Sequence, residues 1–176
     1  MYNRGMGNKI TASKRGPISL THLENTGLSR NDLRYLTLAA RAADTQSRNS
    51  PIEQRHQLGA VAVRGGSLLA VGANKIRNIP SARVPRAAWS THAEASCLRQ
   101  ISDPRGVTLY IARVTKQGKT RLARPCPLCW NMIYNMGVTK IVYTTNEGVA
   151  IEKILHPVAP NSEEYQPGLT EDEHKE

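Results

Sequence analysis

Apolar and polar positions repeat along the chain in blocks whose period changes, and each change marks an element. Leu33, Leu36, Ala40 and Ala43 recur at helical spacing in a run that ends near Arg48. Ser29, followed three residues later by Asp32, is a helix-start signal. A first helix of about four turns is expected there. Leu58–Val63 and Ser67–Gly72 are short strand-like runs separated by Arg64-Gly65-Gly66, the pattern of a hairpin. Residues 75–90 place Pro80 and Pro85 among basic side chains and read as a long basic loop. Thr91–Ile101 predicts a second helix stopped at Asp103-Pro104, and the β-branched run Val107–Val114 predicts a strand. After a basic loop at Lys116–Arg121, a third helix is expected from Pro125-Cys126-Pro127 to Gly137. Proline favours a helix's first turn and glycine the position just past its end. Val138–Thr145 and Val149–Ile154, joined by Asn146-Glu147-Gly148, predict a final antiparallel hairpin. The order αββαβαββ implies one sheet covered on both faces.

Composition narrows the class. Hydrophobic residues make up 39% of the 176 positions, and no apolar run approaches the roughly 18 residues of a membrane span. The opening MYNRGMGNKITASKRG lacks the apolar stretch and small-residue cleavage site of a secretory signal, so a cytoplasmic protein is expected. Three cysteines, Cys97, Cys126 and Cys129, cannot pair completely. Close-set cysteines in a reducing compartment point to a metal or redox site rather than a disulfide framework.

Charge is unevenly spread. Asn161–Glu176 holds six acidic residues against one lysine, a net of −5, so the rest of the chain carries +15 of the overall +10. Such a body attracts anions, nucleotide phosphates or nucleic acid among them, although a solvated basic surface has the same composition. The expected organisation is a basic N-terminal tail and lead-in at 1–28, a domain at 29–156 and an acidic tail at 157–176.

Chemistry concentrates at two predicted helix starts. The second helix opens with Thr91-His92-Ala93-Glu94 and the third with Pro125-Cys126-Pro127-Leu128-Cys129. Cys126 and Cys129 lie in one helical turn, where the helix dipole favours thiolates, and His92 can add a nitrogen from the opposing element. That S₂N set suits zinc, with an open fourth position of the kind catalytic sites keep. Glu94 is placed to shuttle a proton, but Thr91-x-x-Glu94 also matches a capping box. An isolated Cys-x-x-Cys could equally be a redox pair or half of a zinc ribbon.

His-x-Glu placed 34 positions before Pro-Cys-x-x-Cys is more specific. It resembles the zinc-dependent cytidine/deoxycytidylate deaminase superfamily, whose signature this is. The resemblance covers about residues 31–154 and implies a cytidine-deaminase-like three-layer α/β/α domain with one mixed five-stranded sheet. It implies a zinc cofactor on His92, Cys126 and Cys129, and Glu94 as the general acid/base. It also implies a substrate-binding set in which Asn74 contacts the substrate sugar, joined by Ala93.

Further substrate contacts are expected from Trp89, which stacks on the base or anchors its loop, and from Tyr143, which faces the pocket mouth or packs in the core. Arg83, Arg86, Arg121 and Arg124 flank the two helix starts, and arginine's planar fork suits phosphate. Cys97 reads as a core thiol, and Trp130, Met132 and Met136 as core filling. The expected reaction is hydrolytic conversion of cytosine to uracil in a free nucleoside or nucleotide, dCMP favoured, by a homo-oligomer. Two alternatives stand beside it: a deaminase of single-stranded DNA or RNA, and a non-catalytic zinc-stabilised nucleic-acid-binding module.

Overall fold

A computed structural model gives the architecture; it describes residues 18, 20, 23, 27–49, 57–76, 90–115 and 117–156. Helix α1 spans Arg30–Asn49 and strands β1 and β2 span Gln57–Arg64 and Ser67–Ala73. Two short strands follow, β3 at Lys75–Ile76 and β4 at Ser90–Thr91, and then helix α2 at Ala93–Leu98. Strand β5 at Thr108–Val114 and the short β6 at Thr120–Arg121 lead into helix α3 at Pro127–Asn135. The described residues end with β7 at Lys140–Thr144 and β8 at Val149–Lys153.

The main sheet runs β2-β1-β5-β7-β8, with β6 added alongside β5. All its neighbours are antiparallel except β5 and β7, whose parallel pairing requires the crossover that α3 supplies. The mixed five-stranded path and the antiparallel final hairpin match the sequence expectation. The sequence did not signal β6, which pairs with β5 over two residues only, or the separate β3–β4 pair, which closes the base of the basic loop. The rest of that loop, and the tails at 1–17 and 157–176, lie outside the described residues.

Alternation along each central strand builds two cores. Ala60 and Ala62 of β1, Leu109 and Ile111 of β5 and Ile141 of β7 face Leu98 of α2 and Ile133 of α3. Their neighbours Val61, Tyr110, Ala112 and Val142 face Leu36, Ala39, Ala40 and Ala43 of α1, which Leu20 and Leu23 join. Period-two strands between helices on both faces are the three-layer arrangement. Ser29 caps α1 as its sequence suggests: its Oγ accepts the Asp32 N–H at 3.0 Å and donates to Asp32 Oδ2 at 2.7 Å.

Two glycines bring the helices close. A Cβ at Gly59 would lie 1.9 Å from Ala39 O of α1, and one at Gly72 would lie 2.4 Å from Cys97 N of α2. The second contact matters for the site, because it seats α2, and with it Glu94, directly on β2.

Candidate active site

Helices α2 and α3 meet through their first turns. His92 and Cys126 are the respective N-caps, both in extended conformation and neither making a side-chain capping bond, so both side chains are available to each other. The expected third helix opens at Pro127, one residue after Cys126, and Gly137 at φ 75° closes it. The second helix is shorter than its sequence suggests, ending at Leu98 with a turn through Gln100. With His92 as N-cap, Glu94 occupies the second helical position, and the Thr91-x-x-Glu94 capping box is not formed.

His92 Nδ1 lies 3.6 Å from Cys126 Sγ and 3.3 Å from Cys129 Sγ. These are the one group of three or more potential metal ligands among the described residues, with donor atoms all within 4.8 Å. Zinc–nitrogen bonds of about 2.0–2.1 Å and zinc–sulfur bonds of about 2.3 Å at a tetrahedral angle place nitrogen and sulfur about 3.6 Å apart. Both nitrogen–sulfur spacings are close to that value, so the residues fit a zinc ion. Cys129 is buried, and burial, then the charges of Glu94 and Cys126, hold its thiol above its ordinary value.

Glu94 lies beside this triad at 2% exposure, and its Oε2 has no hydrogen-bond partner among the described residues. Burial raises its carboxyl above the usual range and outweighs the opposing pull of its own backbone N–H, His92 and the Cys129 thiol. A buried, half-satisfied carboxyl costs stability that an ordinary core position would not carry. It suits a group that meets its proton partner only when a substrate and water arrive.

His92, Cys126 and Glu94 open on a cavity of about 270 Å³. Asn74 and Ala93 line it, as does Arg124. Asn74 is also a structural clasp: its Oδ1 accepts the Leu58 N–H at 2.9 Å, and its own N–H donates to Leu58 O at 3.0 Å. Arg124 Nε and Nη2 donate to the two oxygens of Glu152 at 2.9 and 3.2 Å, and its guanidinium lies 5.3 Å from the centre of the Trp130 ring. Tyr143 is not brought into the cavity. It is buried in the core at 6% exposure, and its hydroxyl donates to Glu152 at 2.6 Å. Trp89, Arg83 and Arg86 lie outside the described residues.

The cavity also contains residues that the sequence did not single out: Leu58, Ser90, Arg113 and Leu122. Arg113 carries a visible signal in retrospect, as a lone cation in the otherwise apolar run Thr108–Val114. Cys97, by contrast, is the core thiol its position suggests, fully buried, donating to Ala70 O, with burial pushing it up to about 12.

Comparison with known proteins agrees with this arrangement. The family described as the cytidine and deoxycytidylate deaminase zinc-binding region matches residues 29–145. The chain belongs to this family. It is accordingly a hydrolytic deaminase with a zinc-binding region. No curated protein matches the chain. Among solved structures, the dCMP deaminase from the cyanophage S-TIM5 in apo form is 24% identical with a TM-score of 0.50, covering 67% of this chain and 86% of that one. The likeness supports the fold of the family. The cytidine deaminase from Mycobacterium leprae is 20% identical over 67% of this chain and 90% of that one, with a TM-score of 0.45. No helix among the described residues is long and apolar enough to cross a membrane.

Proposed function

We propose that this deaminase converts cytosine to uracil in a free nucleoside or nucleotide, with dCMP favoured, using His92, Cys126 and Cys129 as zinc ligands and Glu94 as general acid/base. One observation carries the reading: a buried carboxyl with an unpartnered oxygen stands beside an S₂N ligand set at the wall of a cavity. Zinc, when bound, supplies Lewis-acid chemistry that makes water nucleophilic near neutral pH. Glu94 takes a proton as oxygen adds to C4 of the ring. It then delivers protons to the ring nitrogen and to the departing amine, so that cytosine and water give uracil and ammonia. Its raised affinity for protons serves both halves of that cycle.

Asn74 and Ala93 line the space a sugar and base would occupy, and Arg124 at the same wall supports a phosphorylated substrate. A phosphate would meet a guanidinium already fixed by Glu152 and Trp130, which lowers the ordering cost of binding. Trp89 and Tyr143 complete the proposed contact set, Tyr143 through Glu152 rather than directly. The proposed catalytic unit is residues 29–156, in a cytoplasmic homo-oligomer. Free cysteines support the reducing setting, and the exposed Leu128 and Leu155 support the assembly.

A substrate panel tests the assignment. Zinc-loaded protein assayed on cytidine, deoxycytidine, dCMP, dCTP, adenosine and a cytosine-containing oligonucleotide should release ammonia fastest from dCMP. If the oligonucleotide alone were turned over, with affinity falling on a log–log salt slope of magnitude about 3 or more, the polynucleotide reading would replace this one.

A further inference from the structure

Strand β5 pairs with β1 along the whole of one edge, and its other edge is divided between two partners. Strand β7 pairs there with residues 108–111 and β6 with residues 113–114, so the two lie end to end and leave a seam beside Thr144, the last residue of β7. The Thr144 side chain fills that seam. It is fully buried, and its hydroxyl accepts the Arg113 N–H at 3.0 Å and donates to Arg121 O at 2.7 Å. One hydroxyl thus bridges a donor on β5 and an acceptor on β6 across the break between two ladders.

The same corner holds the chain that follows β6. Thr144 O accepts the Ala123 N–H at 2.8 Å, and Asn146 Oδ1, in the turn after β7, accepts the Leu122 N–H at 3.3 Å. Residues 121–123 are therefore fastened at three successive positions to the start of one hairpin. Ala123 is buried in the core shared with α2 and α3, and Leu122 and Cys126 line the active cavity. The link from Ala123 to Cys126 is short, and Pro125 stiffens it by fixing its own φ and restricting Arg124 before it. A displacement of Ala123 is passed on to Cys126 instead of being absorbed. An apolar side chain of the same shape would fill this volume, so packing alone does not call for a hydroxyl whose donor and acceptor are both used.

We propose that Thr144 is a positioning residue of the metal centre, its hydroxyl setting, through residues 121–124, the place of Cys126 opposite His92. The proposal rests on the reading of His92, Cys126 and Cys129 as zinc ligands. It makes the final hairpin, which carries none of those ligands, the reference against which the first sulfur is placed.

Competition for zinc ions between the full chain and a chelator measures the effect without turnover. Thr144→Val keeps the shape and removes the hydroxyl, and should weaken zinc binding about 10-fold, the lower end of the cost of losing a group that orients a ligand. Thr144→Ser should restore the wild-type affinity. Val142→Ala, a truncation on the α1 face of the same strand, separates positioning from stability: it should lower the unfolding midpoint at least as far and leave zinc affinity unchanged. Equal loss of zinc affinity in Val142→Ala and Thr144→Val would overturn the proposal, as would unchanged affinity in Thr144→Val or failure of serine to rescue it. If Thr144→Val does not fold, Asn146→Ala at the exposed turn carries the test, with weaker zinc binding expected and unchanged affinity overturning the proposal. The expected pattern of zinc affinities without ammonia release from any cytosine substrate would leave the positioning role standing and overturn the deamination reading; a wild type that binds no zinc would overturn the ligand reading and this proposal with it.

Discussion

Glu94 is the residue on which the chemistry and the cost of the site meet. Its carboxyl is buried, raised in proton affinity and, among the described residues, missing a partner for Oε2, a combination that packing alone does not favour. Glu94→Gln should retain zinc and the fold while losing about 10²- to 10⁴-fold or more in kcat, because the amide keeps the shape and loses the proton shuttle. Metal content, the unfolding midpoint and kcat measured on one preparation check it; retained activity in Glu94→Gln would remove Glu94 from the mechanism. His92, Glu94, Cys126 and Cys129 were legible in sequence because their spacing is tied to two helix starts. Arg113 was not, since its place at the cavity wall depends on how β5 packs among the elements around it. The position of Tyr143 was open for a similar reason. Period-two alternation puts it on the same sheet face as the buried Ile141, and only the register against β8 reveals Glu152 as its partner.

At the scale of elements, the site depends on how closely α2 approaches β2. Gly72→Ala would drive a Cβ into the backbone of Cys97 and Ala93, costing about 1–3 kcal/mol by overpacking. Since the same helix carries Glu94 and is capped by His92, the variant should lose zinc affinity as well as stability. Denaturation with a parallel zinc titration reads both, and a stable variant with normal zinc affinity would contradict the account. The opposite face is fastened by Asp32 at the start of α1. Burial works against its carboxylate, but hydrogen bonds from Tyr110 and Ser29 and the charge of Lys140 outweigh it and lower its proton affinity. The resulting stability is present above the unfolded carboxyl's value of about 4 and is lost as pH falls through the lower folded value. Asp32→Asn should therefore lower stability at neutral pH and flatten its dependence between about pH 5 and the acid limit; an unchanged acid profile would contradict the assignment. The major helices and strands were legible because their periodicity is sustained. The short strands β3, β4 and β6 were not, because two residues carry no period, and each exists only through its partner strand.

For the molecule as a whole, the three layers hold two helix starts against one end of the sheet, where a candidate metal ligand set and a buried carboxyl stand at a cavity of about 270 Å³ that two guanidiniums also line. Among the described residues, Arg113 and Arg124 bring part of the body's positive charge to that cavity. The central claim is that this one centre hydrolyses cytosine. The most direct measurement is ammonia and dUMP released from dCMP by purified chain whose zinc content is determined in the same sample. The account predicts one zinc per chain and equimolar ammonia and dUMP, both abolished when Cys126→Ser removes the metal. Zinc-replete protein that releases no ammonia from dCMP or any other cytosine substrate, or full turnover by the metal-free variant, would contradict it.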